Sequence, residues 1–210
     1  KTGETIKVTA VDVDLAFKCL ENVLSELDPN TAKPVEQASV LIISPYKPHT
    51  ARLNKLIDLE YISRGFRENL NYIRAGTIHS FQGSEADIVI FDIVIDEPHY
   101  KAGLFMPDPE VSANLRKMFN VAVTRARFKL YVVANFAYCR KRAKNNALSE
   151  LMDMLLDNLK LKKVDAKEFL PGLTYAKGAC DVVVTGHTGR SMVCREDSFF
   201  EHFQGDLVNL

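Results

Sequence analysis

The chain has no excess charge of either sign: 27 Lys and Arg balance 27 Asp and Glu over 210 residues. Bulk electrostatics therefore single out no partner, and any nucleic-acid surface has to be a local patch. The four cysteines, Cys19, Cys139, Cys180 and Cys194, are widely spaced, with no CxxC pair and no His/Cys cluster at zinc-ligand spacing. That pattern points to reduced thiols in an intracellular protein, and no metal site is expected from it. No apolar run approaches the ~20 residues a membrane span needs, and the opening residues do not read as a signal peptide. A cytoplasmic protein without a membrane partner is the expectation. No G-x-x-x-x-G-K-[S/T] loop occurs anywhere, so a self-contained phosphate loop is excluded from this chain. Internal repeats and low-complexity tracts are also missing.

What the chain does have is short apolar runs rich in β-branched residues: Ile6–Val11, Val40–Ile43, Ile88–Ile95 and Leu130–Ala134. Continuous runs of this kind, without polar alternation, are what a helix-covered parallel sheet produces. Between them lie helical patterns. Leu15, Cys19, Leu20, Val23, Leu24 and Leu27 mark a helix over Asp14–Leu27, and Pro48–Leu59 opens with a proline suited to a first turn. Further helices are expected over Val111–Thr124 and Asn146–Leu161, the second with Lys160, Lys162 and Lys163 at its C-terminal end. Pro29–Gln37 and Glu97–Pro109 read as loops. Strands alternating with helices imply an α/β domain over residues 1–163. Residues 164–210 read as an extension, with one possible strand at Asp181–Thr185 and the start of a helix from Ser198. The chain begins without Met inside a polar segment, which fits a fragment.

Two segments carry the chemistry. Asn120–Arg127 places Arg125 and Arg127 where a helix stops and a buried strand begins, an open sheet edge at which a guanidinium fork meets phosphate oxygens. Thr77–Glu85 holds Thr77, His79 and Gln82 as donors and acceptors. Its Gly83 lets the backbone approach a ligand closely. Each segment taken alone also reads as ordinary structure, a polar αβ loop or a pair of snorkelling arginines. Two imitations are set aside. Asp96-Glu97 looks like a Mg²⁺-binding strand end but lacks its phosphate loop, and Gly186–Ser191 has the wrong spacing for one. The basic run Arg140-Lys141-Arg142-Lys144 reads equally as a phosphate-tracking groove and as a solvated helix start, whereas Tyr131 and Tyr138 read as packing residues.

In order and spacing, Ser44-Pro45-Tyr46, Gln82-Gly83-Ser84-Glu85 and Asn120–Arg127 resemble motifs of the superfamily 1 helicases. The resemblance is to the branch that includes the nonsense-mediated-decay helicase and its DNA-replication relatives, and it covers roughly residues 38–134. It implies a RecA-like, P-loop NTPase-type lobe: a mostly parallel sheet with helices on both faces, the second of two lobes in an ATP-dependent DNA or RNA helicase. It implies that ATP and Mg²⁺ are held mainly by the first lobe. Arg125 matches the arginine finger, and Glu85 an acidic residue near the ribose. Gln82 and Gly83 match the turn coupling the nucleotide cleft to the strand-binding face, with Arg127 a supporting or carboxylate-paired position. Ser44, Tyr46, Thr77 and His79 match positions facing single-stranded nucleic acid. The family's usual Gln three residues after the Tyr is His49 here, and the "YRMHP" element would lie upstream of Lys1. The fragment alone is expected to hydrolyse no ATP. The competing expectation is a catalytically inactive RecA-like module that binds nucleic acid or protein.

Overall fold

Runs that are apolar at every position can only be satisfied by burial on both faces, and the centre of the molecule is built on that rule. The computed structural model describes residues 3–25, 39–64, 72–94, 109–143, 145–158, 161–168 and 181–186. Helix α1 (Gly3–Ser25) is followed by β1 (Val40–Ile43), α2 (Lys47–Ser63) and β2 (Ile73–Gly76). A 3-10 turn (Ile78–Phe81), β3 (Ala86–Asp92), α3 (Pro109–Val123) and β4 (Ala126–Ala134) come next. Helices α4 (Phe136–Arg142) and α5 (Ala147–Asp157) and strands β5 (Lys162–Asp165) and β6 (Asp181–Gly186) complete the order. The sheet runs β2-β1-β3-β4-β6-β5. β2, β1, β3 and β4 are parallel, and β6 is antiparallel to both β4 and β5.

One face of the sheet packs Val40, Ile42, Ile88, Ile90 and Val133 against α1 and α2. The other packs Leu41, Ile43, Val89, Phe91 and Val132 against α3, α4 and α5. This is an α/β fold of RecA-like type, mostly parallel, with helices on both faces. The chain steps from β1 out to β2, then back past β1 to β3. The winding therefore reverses between β1 and β3, at whose carboxyl ends an open α/β sheet ordinarily meets its ligands.

The strand expected at Ile6–Val11 is helical, part of α1. No Gly or Pro separates that run from Asp14 onward, so the helix propagates through it. Buried Thr9, Val11, Asp12, Leu15, Ala16 and Leu20 supply one continuous face. The expected strand end at Ile95 is also shortened. β3 stops at Asp92, whose side chain accepts from the Val94 N–H at 2.9 Å, a local turn that leaves the ladder. Val94 has φ 55°. Helix α5 ends at Asp157, before the Leu161 expected from its pattern. Lys162 and Lys163 lie in β5, with the Lys163 ammonium still donating to the Leu156 carbonyl. Lys160, most of the two expected loops, Asp96-Glu97 and the expected helix from Ser198 lie outside the described residues.

α2 also finishes β2. The Asn54 amide donates to the Ala75 carbonyl at 2.9 Å and accepts from the Ala75 N–H at 3.0 Å, while the Ile73 N–H donates to the Tyr61 hydroxyl at 3.0 Å. At the end of β2, Gly76 sits under Phe81. A Cβ there would lie 2.8 Å from two atoms of the ring. Gly76→Ala is therefore expected to push Phe81 aside and destabilise the chain by about 1–3 kcal/mol in urea unfolding. Asn54→Ala is expected to cost about 1–2 kcal/mol and to accelerate hydrogen exchange at the Ala75 amide specifically.

Candidate functional site

The residues singled out by sequence fall at the two opposite ends of the parallel strands. At the amino end, α3 runs into β4 through Thr124 and Arg125, and the Arg125 side chain folds back on that junction. Its Nε donates to the Val121 carbonyl at 3.2 Å, its Nη1 to the Ser84 carbonyl at 3.2 Å, and its Nη2 to the Thr124 hydroxyl at 3.1 Å. The Arg125 carbonyl in turn accepts from the Ala86 N–H at 2.9 Å. Arg125 and the turn before β3 are thus stitched together from both backbone and side chain. Among the described residues, two of the five N–H groups on this guanidinium stay uncommitted.

That turn holds Gln82 and Gly83, both exposed, with Gly83 at φ +83° and open space around its α-carbon. This left-handed geometry strains any residue with a side chain. Arg127 pairs with Glu85 at 3.2 Å and reaches Asp87 at 3.9 Å. The Arg127–Glu85 partners are each about half exposed, 55% and 54%. A pair so open to water contributes about 0–1 kcal/mol, so either partner is free to turn to a ligand at small cost. Between Ala86 and Ile88 the β3–β4 register shifts, with Ala86 opposite Ala126 and Ile88 opposite Lys129. The extra residue is a bulge that throws Arg127 and Phe128 outward.

At the carboxyl end, Ser44 is fully buried. Its N–H donates to the Gly76 carbonyl at 3.1 Å, and its hydroxyl accepts from Tyr46 at 3.4 Å. Tyr46 is half-buried at the start of α2, and burial pushes its phenol up. Thr77 bonds Ser80 through their hydroxyls at 3.0 Å, and His79 is exposed. Residues 77–85 therefore span the sheet from the Thr77–His79 end to the Gln82–Glu85 end. Arg140 of the basic run is tied to Asp153 at 2.7 Å and to Asp157 at 3.4 Å, so that run is in part a helix–helix clamp. Tyr131 and Tyr138 are buried packing residues.

Sequence reasoning missed a third group. His49 Nε2 lies 2.6 Å from Asp92 Oδ2 and 3.8 Å from Asp12 Oδ2, with all three residues buried. Burial opposes charge on His49, but the Asp12 and Asp92 carboxylates beside it prevail and push it up to about 10. Asp12 is raised by burial and then by the Asp92 charge. The three come from positions far apart in the chain, so no spacing reveals them. The available signal was weaker: lone aspartates inside the apolar patterns of α1 and β3. Among the described residues no helix is long and apolar enough to cross a membrane.

Residues 1–137 match the family model described as an AAA domain. The chain is 27% identical over 136 residues to the DNA polymerase alpha-associated DNA helicase A of Saccharomyces cerevisiae, covering 65% of this chain and 18% of that protein. It is 28% identical over 145 residues to a putative regulator of nonsense transcripts 1 of Takifugu rubripes, covering 69% of this chain and 11% of that protein. The chain thus spans less than a fifth of the length of either relative. A solved magnesium protoporphyrin IX methyltransferase from Synechocystis with bound SAM overlays at TM-score 0.40 and 10% identity, covering 85% of this chain and 80% of that one. At that score the overlay carries no argument. The matched family model, covering well over half of the chain, establishes that the protein belongs to the AAA domain family.

Proposed function

We propose that this chain is the second motor lobe of an ATP-dependent DNA or RNA helicase, and that it supplies Arg125 to a nucleotide bound mainly by the first lobe. One observation carries the reading: Arg125 is locked to the Ser84–Ala86 turn while, among the described residues, two of its N–H groups stay uncommitted. Its location adds support. A doubly wound sheet meets a ligand of its own at the carboxyl ends of its strands, and Arg125 stands at the amino ends. The sequence also has no phosphate loop. An arginine so placed completes a site built elsewhere.

When ATP and Mg²⁺ are bound to the first lobe, they provide the phosphoryl group and its charge compensation. This chain's part is positional. The Arg125 fork meets charge that develops on the transferring phosphoryl group, an effect worth on the order of 10³–10⁵ in rate. Glu85 serves the ribose, and Arg127 either backs Arg125 or holds Glu85. Gln82 and Gly83 sense the nucleotide, while Tyr46, Thr77 and His79 face the single strand from the other end of the same segment. Ser44, being buried, acts through the backbone it holds. Residues 1–163 form the lobe, and residues 164–210 extend it, with β6 adding to the sheet beside β4.

In the complete protein, Arg125→Ala is expected to lower ATP turnover by on the order of 10³-fold or more while ATP binding stays near wild type and the fold is retained, the three lost hydrogen bonds costing about 1–3 kcal/mol of stability. Near-normal turnover would eliminate the finger role. Thr77→Ala and His79→Ala are expected to weaken single-strand affinity by about 2–10-fold each, as lost single hydrogen bonds do, with nucleotide affinity unchanged. Fluorescence anisotropy with a labelled oligonucleotide reads this directly.

A further inference from the structure

We propose that Asp12, His49 and Asp92 form a closed binding site for one divalent transition-metal ion of the zinc type. Each residue offers one ligand atom, and these atoms lie within 4.8 Å of one another. Three independent observations converge on them.

The first is Asp12 itself. It is fully buried in α1, and among the described residues neither of its carboxylate oxygens has a hydrogen-bond partner. Its charged neighbour is His49, whose Nε2 lies 3.8 Å from Oδ2, too far for a hydrogen bond, and a buried carboxylate without hydrogen bonds is costly even beside an opposite charge. A buried water would give it hydrogen bonds but no charge. A proton would neutralise it and still leave an oxygen unpartnered. A cation satisfies both needs, and the second Asp12 oxygen provides the fourth donor that a closed zinc site requires.

The second is the way Asp92 is held. Its Oδ1 accepts from the Val94 N–H at 2.9 Å, leaving Oδ2 aimed at His49. Carboxylate ligands are oriented by outer hydrogen bonds of this kind. The Val94 backbone is bent to φ 55° in making it, a conformation unfavourable for a β-branched residue and characteristic of sites where geometry is imposed.

The third is position. His49 follows β1 and Asp92 ends β3, so the group lies buried beneath the carboxyl ends of the strands where the winding reverses, the end of an open α/β sheet that meets ligands. One imidazole nitrogen with carboxylate oxygens suits zinc better than magnesium, which prefers an all-oxygen shell and usually retains several waters. Around an ion, donors at about 2.0–2.2 Å stand about 3–3.5 Å from one another. The 2.6 Å His49–Asp92 pair would open and the 3.8 Å His49–Asp12 pair would close, with the ion replacing the hydrogen of the present bond. Bound there, it would pin α1, α2 and β3 together beneath Ser44-Pro45-Tyr46. The proposal does not depend on the motor-lobe reading.

The test uses the whole chain, stripped with chelator and titrated with Zn²⁺ by calorimetry, with metal content measured after gel filtration. One equivalent retained is the expected result. His49→Gln and Asp12→Asn, checked for folding by circular dichroism, should each weaken binding by on the order of 10–100-fold or more. A wild-type chain that retains no Zn²⁺, or folded variants that bind as tightly as wild type, would overturn the proposal. Should the variants fail to fold, Co²⁺-loaded wild-type protein decides. Visible d–d bands without a thiolate charge-transfer band support the site, and a thiolate band assigns the metal to cysteine and refutes it.

Discussion

The Ile88–Phe91 segment of β3 is buried on both faces and hydrogen-bonded on both edges, between β1 and β4. The arginine junction and the buried Asp12–His49–Asp92 group hang from its two ends. At the amino end the Ala86 N–H bonds the Arg125 carbonyl, so the start of the strand fixes the arginine junction. At the carboxyl end Asp92 meets His49 and the Val94 amide. A rod buried on all sides does not bend, because its neighbours are packed at the density of a crystal. The two ends are therefore held at a fixed separation, whatever happens at either one.

The segment from Thr77 to Glu85 joins the carboxyl end of β2 to the amino end of β3 on the α3 face of the sheet. It is anchored midway, since Ile78 and Phe81 insert into the core while His79, Ser80 and Gln82 stay outside. Phe81 lies against Gly76 at one side and under the Arg74 guanidinium, 5.8 Å from its ring centre. A short connection with two buried anchors transmits displacement along its length better than a loose loop. That is the mechanical property the coupling role asks of it.

Much of this was legible in the sequence, for a physical reason. Val40–Ile43 and Leu130–Ala134 are apolar throughout because both faces are covered, and Asn146 caps α5 through Leu148 and Ser149 as its residue type suggests. The junction at Arg125 was legible because its residues are local and chemically distinctive. β2 was not. Ile73-Arg74-Ala75-Gly76 is four residues long, with an exposed arginine and a terminal glycine, and its strand character comes from pairing with β1. The helical start of α1 was hidden by β-branched residues whose local preference yields to tertiary packing. The Asp12–His49–Asp92 cluster was the least legible, since it exists only after three separate elements have docked.

The bonds from Asn54 and Tyr61 to β2 have a consequence for colloidal behaviour. A sheet's outermost strand normally presents free amides and carbonyls that template another chain. Here the Asn54 side-chain amide imitates the missing neighbour, occupying both polar groups of Ala75, and the Tyr61 hydroxyl takes the Ile73 N–H. On the far side, β5 turns Lys162 and Lys163 to solvent. A foreign strand approaching β2 meets hydrogen-bonding groups already occupied at Ile73 and Ala75, and one approaching β5 meets the exposed Lys162, both of which work against edge-to-edge growth of the sheet.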